Sequence, residues 1–265
     1  MSFVVKILNQ GYIDSEIKEY FGTLEKKDYF QIIYQSHNLG PSRGRNILFD
    51  NIETPYVLSL DDDIYLPPNW FANIRRFFNE FPEISVIGLS LIAPGGKKLA
   101  TAHQIEYQGP NVAKIVDVIR PSPEAKIKDG FYITDYVSEG AMVLRSSILD
   151  TFSWDKNLLV CFEGFDLGLQ FMKAGIKSVI YTELFSVHDS ISKDIDSKGY
   201  IKERRNYHKI RKDYIYIWKK WKVRFPFVKH FFYTVVCAIF PNSLLRWVAL
   251  IWLNTIKPLL GANRN

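Results

Sequence analysis

Tyr56-Val57-Leu58-Ser59-Leu60-Asp61-Asp62-Asp63-Ile64-Tyr65-Leu66-Pro67-Pro68-Asn69-Trp70 is the stretch that decides how this chain is read. A short apolar run ends abruptly in three carboxylates. A buried strand that stops there has carried its charge out of the core to where water or a cation can meet it. Three adjacent acids repel one another unless something positive sits among them. A divalent metal carrying a phosphate-bearing substrate fits that need. The plainer alternative is a solvated turn after a strand.

Working outward, apolar runs alternate with helical spacing. Strands are expected at Phe3–Leu8, Tyr29–Tyr34, Tyr56–Leu60 and Ile84–Leu91. Helices are expected at Asp14–Phe21, from Pro41 to about Asn51, and at Asn69–Phe81. This alternation predicts an α/β fold with an open, mostly parallel sheet. Ligands of such sheets bind beyond the carboxyl ends of the strands, where Asn9 and Asp61 to Asp63 would lie. From Ala93 to Tyr136 the pattern loosens, with a hairpin expected from Gln104–Tyr107 and Val112–Val118. Further on, Ala141–Leu144 and Ser178–Tyr181 read as strands, and Leu158–Ala174 passes from loop into helix before Gly175.

Three other segments carry chemistry. Glu163 and Asp166 open a helix and share a face. They suit the helix dipole, and either could act as a general base. His188 follows the last strand. Asn38-Leu39-Gly40-Pro41-Ser42-Arg43-Gly44-Arg45-Asn46 is a turn leading into a helix with two arginines, and helix N-termini and Arg forks both suit phosphate.

Taken together, these segments resemble the GT-A-fold glycosyltransferases of the family 2 type. That family reads D-N-x-S-x-D, then N-x-G-x-x-x-x-R-N, L-D-x-D, G-x-x-x-x-R, E-D-x-D-L, and finally a His. Here the same order runs Asn9…Asp14, Asn38…Arg45-Asn46, Leu60-Asp61-Asp62-Asp63, Gly140…Arg145, Glu163-Gly164-Phe165-Asp166-Leu167 and His188. The resemblance covers roughly residues 3 to 190. It implies a metal-dependent, inverting transfer of a hexosyl or N-acetylhexosaminyl group from a nucleotide-sugar, a UDP-sugar foremost, to a glycan or lipid-linked glycan hydroxyl.

The resemblance also implies roles. Asp61, Asp63 and His188 would form the metal group for Mn²⁺ or Mg²⁺, Asp63 and His188 as ligands and Asp61 reaching the ribose or a metal-bound water, with Asp62 beside them at the cofactor. Asn9, Asn38, Arg45 and Asn46 would line the nucleotide side. Gly140 and Ala141 would let the backbone approach the sugar. Asp166, with Glu163 close behind, would be the base. Two positions depart from the pattern. The family begins with a further strand and helix, for which this chain has no match, and Gly164 stands where it places an Asp.

The formal net charge of +6 is uneven. Up to Ile201 there are 20 Lys and Arg against 26 Asp and Glu; from Lys202 on there are 14 against 2. In that basic segment Tyr207, Ile210, Tyr214, Ile217 and Trp221 fall at helical spacing. Beyond it, the uncharged runs Phe231–Leu245 and Trp247–Ile256 fall short of the ~20 residues of a spanning helix. Aromatic and apolar residues beside Lys and Arg predict a segment lying on a membrane surface.

The expected organisation is therefore a catalytic domain over 1–199 and a helical, membrane-associating extension over 200–265. The expected location is peripheral, on the cytoplasmic face of the cell membrane. Cys161 and Cys237 form no disulfide framework, and no secretory signal is visible. Nucleic acid is not expected as a partner, because the rest of the chain is acidic. The expected protein partner is a second copy of the chain or a partner transferase. Rival readings are a non-catalytic or degenerate partner subunit and a haloacid-dehalogenase-like phosphohydrolase. The latter also uses D-x-D at a strand end, but its remaining motif residues are missing here.

Overall fold

A computed structural model describes residues 3–11, 14–110, 112–118, 121–189 and 206–222. Two compact units divide the chain. The first comprises 1–104 and 116–192, and the second 105–115 and 193–265.

In the first unit, β1 (Val5–Gln10) pairs in parallel with β2 (Phe30–Gln35) and with no other described strand. Between them runs α1 (Ser15–Leu24), whose first turn is capped by Asp14 Oδ1 accepting from the Ile17 N–H at 2.8 Å. Then come α2 (Pro41–Leu48), β3 (Tyr56–Leu60), β4 (Ile64–Tyr65), α3 (Trp70–Glu80) and β5 (Ile84–Ile92). Short strands β6 (Lys98–Leu99), β7 (Ala102–Gly109), β8 (Val112–Asp117), β9 (Lys126–Lys128), β10 (Phe131–Thr134) and β11 (Tyr136–Val137) follow where the sequence pattern loosens; residues 105–109 of β7 and 112–115 of β8 belong to the second unit, the rest to the first. The unit closes with β12 (Ala141–Arg145), α4 (Glu163–Lys173) and β13 (Lys177–His188).

The central sheet runs β3-β12-β5-β13-β10-β9. Only β5 and β13 are parallel neighbours in it; β12 lies antiparallel to both β3 and β5. The sheet is thus mixed, where strand–helix alternation predicts a mostly parallel one. The reason is that β12 arrives without a crossover helix, so it enters from the opposite end.

Period-two alternation splits the core over the two sheet faces. Ile87, Val143, Val179 and Tyr181 face α3, which buries Ile74, Phe77 and Phe78 at helical spacing. Val86, Met142, Leu144 and Ile180 point the other way, into a cluster with Trp154 and with Leu167 and Phe171 of α4. β5 is buried along nearly its whole length, as a central strand covered on both faces should be. At Gly88 a Cβ would come 2.6 Å from the Val137 side chain, so β11 packs directly on the backbone there.

Arg145, the last position of the G-x-x-x-x-R match, has a structural task. Its Nε donates to Ile84 O at 2.8 Å, and Nη2 donates to Phe78 O. Its guanidinium lies 4.7 Å from the Phe78 ring centroid. These bonds satisfy carbonyls at the C-terminal end of α3 and tie it to the strand beneath.

In the second unit, α5 (Tyr207–Trp221) is capped by Asn206 Oδ1, which accepts from the His208 and Lys209 N–H groups. Ile210, Asp213 and Ile217 are its buried residues. The helix thus buries one face, as expected, although with an acid on it. Among the described residues no helix is long and apolar enough to cross a membrane. The apolar runs after residue 222 lie outside the described residues.

Candidate active site

The site is assembled where β3 and β13 end and β12 begins. The Asp61 N–H donates to Gly140 O at 2.8 Å, extending the β3–β12 pairing by one residue. The chain then turns, and β4 joins the far end of β13, with Ile64 opposite His188 and the Asp189 N–H donating to Asp63 O at 2.8 Å. This register places Asp63 Oδ2 3.1 Å from His188 Nε2. The sequence reading ends the last strand at Tyr181. In the structure it continues past a bulge between Tyr181 and Phe185, and that continuation delivers His188.

Asp63 Oδ1 is buried and has no hydrogen-bond partner. A buried carboxylate oxygen without a partner is costly and calls for an explanation. A divalent cation beside His188 would supply one: the carboxylate suits Mn²⁺ or Mg²⁺, and the imidazole, a transition-metal ligand, favours Mn²⁺ of the two. Among the described residues no third His, Cys, Asp or Glu joins them to form a complete cage. The remaining ligands of such an ion would come from water and substrate oxygens, the usual arrangement where a cation is held jointly with phosphates. Asp62 is exposed at the surface, yet the protein crowded around its carboxyl displaces enough water to raise it above its ordinary value, and the charges of Asp63 and Asp61 push the same way.

Beside this pair, Arg45 of α2 bridges two acids. Its Nη2 donates to Asp61 Oδ1 at 3.1 Å, and Nη1 lies 3.7 Å from Glu139 Oε1. Glu139 escapes the sequence reading, where it is a single acid in a turn. The only signal for it is its place next to Gly140. At Gly140 a Cβ would overlap Asp61 Oδ2, so a side chain there would evict the carboxylate. Ala141 is buried, opposite Leu60 in the β12–β3 pair.

The loop before α2 is built by local bonds. Asn38 Oδ1 accepts from the Gly40 N–H at 2.8 Å, and Gln10 Oε1 accepts from the Leu39 N–H at 3.0 Å. Gly40 has φ +82°, and a Cβ on it would meet Leu159 O at 2.7 Å. Gln10, at the end of β1, also lies against Gly44, and its part in holding this loop is a second point the sequence reading misses. Asn9 precedes it in β1, opposite Tyr34. Asn46 spends both ends of its amide on Trp154: Nδ2 donates to Trp154 O at 2.7 Å, and Oδ1 accepts from the Trp154 N–H at 3.0 Å. It braces the loop before α4.

At the head of α4, Glu163 is 4% and Asp166 0% exposed. Gln170 Nε2 donates to Asp166 Oδ2 at 2.8 Å. Phe162, just before them, has φ +67°, a left-handed conformation rare for an aromatic residue and a mark of local strain.

The family model described as "Glycosyl transferase family 2" matches residues 12–152. A search of the curated proteins found no match. Among solved structures, the fold is similar to that of GalNAc-T7, crystallised with UDP, GalNAc and Mn²⁺. The TM-score is 0.56 at 14% identity, covering 70% of this chain and 37% of that one. This chain therefore spans little more than a third of that protein's length. Residues 1–349 of TarS from S. aureus align at TM-score 0.47 and 14% identity, over 94% of this chain and 68% of that one.

Proposed function

The chain belongs to glycosyl transferase family 2, and from that premise we propose a metal-dependent, inverting transfer of a sugar from a UDP-sugar to a glycan or lipid-linked glycan hydroxyl. The observation that carries the metal and the diphosphate is the Asp63–His188 pair, 3.1 Å apart, with Asp63 Oδ1 buried and unpartnered. Asp63 and His188 would hold the ion, which when bound would neutralise charge on the departing diphosphate as a Lewis acid. Arg45 and Asp61 lie beside it, at the mouth of the nucleotide side. Gly140 keeps that mouth open. The head of α4 offers Asp166 and Glu163 as candidate bases for the acceptor hydroxyl, and Glu139 lies against the same turn. That GalNAc-T7 was crystallised with UDP and Mn²⁺ supports UDP and Mn²⁺ as the first pair to try.

The test is release of UDP from UDP-glucose, UDP-galactose, UDP-GlcNAc and UDP-GalNAc, with Mn²⁺ and then with EDTA. Release from at least one donor, abolished by EDTA, is expected. Release that persists undiminished in EDTA would remove metal dependence.

A second reading has one observation of its own. Among the described residues β1 pairs only with β2, and β3 only with β12, leaving one edge of each strand open. Open edges invite pairing, which favours action together with a partner chain.

The extension is proposed to lie on the cytoplasmic surface of the cell membrane. Each cation near anionic lipid contributes roughly 1 kcal/mol. Deleting residues 225–265 is expected to move the protein from the membrane to the soluble fraction on cell fractionation. Unchanged partitioning would end the interfacial reading.

A further inference from the structure

We propose that Glu139, which comes from the turn between β11 and β12, takes the proton from the acceptor hydroxyl; this rests on the transferase reading above. A base must touch the hydroxyl it deprotonates. Asp166 is fully buried and Glu163 nearly so, whereas Glu139 keeps 15% of its side chain exposed. Glu139 also occupies a particular place. A Cβ built on Gly164 would overlap Glu139 Oε2. The carboxylate therefore fills the space that a side chain at 164, the second residue of α4, would take. A carboxylate supplied by the neighbouring turn stands where the helix itself supplies none, and the anion suits the helix N-terminus.

The turn is held on both sides. The Ser138 N–H donates to Thr101 O at 2.7 Å, and Gly140 O accepts from the Asp61 N–H at 2.8 Å. Arg45 Nη1 lies 3.7 Å from Glu139 Oε1, an ion-pair distance, and its Nη2 bonds Asp61, so one guanidinium links Glu139 to the Asp61 side of the site. Glu139 is thus positioned between donor side and helix head. In the step, the acceptor oxygen bonds to the anomeric carbon and its proton passes to Glu139. The bond from anomeric carbon to phosphate oxygen breaks, and the nucleoside diphosphate leaves with the electron pair. With water as acceptor the same step releases free sugar and UDP.

The experiment compares wild type, Glu139→Gln, Glu139→Ala and the double variant Glu139→Ala/Gly164→Asp. Two readouts are needed: UDP affinity by calorimetry with Mn²⁺, and UDP release from the four UDP-sugars named above. Glu139→Gln is expected to lower release at least ~100-fold, the scale of general base catalysis, with UDP affinity within about threefold of wild type. The double variant, whose new Asp fits only once Glu139 is shortened, should regain at least about tenfold over Glu139→Ala. Glu139→Gln with near wild-type release overturns the inference. So does parallel loss of UDP affinity and release, which would make Glu139 a prop for Arg45 only. Wild type that binds UDP yet releases none from any donor also overturns it, since a base poised here accepts a proton from water too. Wild type that binds no UDP with Mn²⁺ fails at the first readout, and there it is the transferase reading that falls.

Discussion

Asp63→Ala is expected to abolish Mn²⁺-dependent UDP binding while leaving the fold intact. Asp63 is the residue whose two oxygens divide the labour of the site. Oδ2 faces His188 Nε2 at 3.1 Å, and Oδ1 is buried with no partner. Removing a group that merely supports a metal ligand typically costs 10- to 100-fold in affinity, so losing a ligand itself should cost at least about 100-fold. Stability should move little. The variant deletes an unsatisfied buried oxygen, whose desolvation is a burden on the folded state. The β4–β13 pairing that frames it uses backbone groups, which an Ala retains. Calorimetry with UDP and Mn²⁺ measures the first effect, and thermal melting the second. His188→Ala should weaken binding in the same direction, because it removes the other half of the pair. Undiminished UDP affinity in Asp63→Ala would sink the assigned role.

The largest effect on stability is expected from Phe77→Ala. Phe77 is 1% exposed, and its ring stacks on Phe131 with centroids 3.8 Å apart; Phe131 in turn stacks on Tyr181 at 4.4 Å. The three rings tie α3 to β10 and β13, and so hold one helix layer to the middle of the sheet. Truncating a buried Phe to Ala costs about 3–5 kcal/mol through lost burial and the cavity left behind. For a chain of this size that corresponds to a fall in Tm of roughly 10 °C. Urea unfolding with an unchanged m-value would measure it. A loss below ~1 kcal/mol would mean that the layer collapses around the gap, contrary to the packing described.

How far the sequence could be read depended on where the physics is local. α3 and β5 were legible because their burial repeats at 3.6 and along a continuous apolar run; they begin and end within a residue of expectation. β3 and its carboxylates were legible because the change from apolar to charged is abrupt. The direction of β12 was not, since no residue in Ala141–Arg145 records which strand it will join. Likewise, β13 read as ending at Tyr181 because Thr182 and Glu183 interrupt its apolar run; the bulge that carries it on to His188 is fixed by pairing with β5 and β4. β9, β10 and β11 are too short to leave a period. In the site, the acids and the His were visible as residue types, but their partners were not. That Asn46 grips Trp154, that Arg145 caps α3, and that Glu139 lies where a side chain of residue 164 would go are all tertiary facts. The glycines at 140 and 164 became informative only once their neighbours were known.

The most direct test of the central claim is calorimetric titration of the wild-type protein with UDP, with and without Mn²⁺. Binding that requires Mn²⁺ is the predicted result, because Asp63 and His188 alone leave an ion short of ligands that a diphosphate can supply. No binding under either condition, or equal binding with and without the metal, would contradict the account.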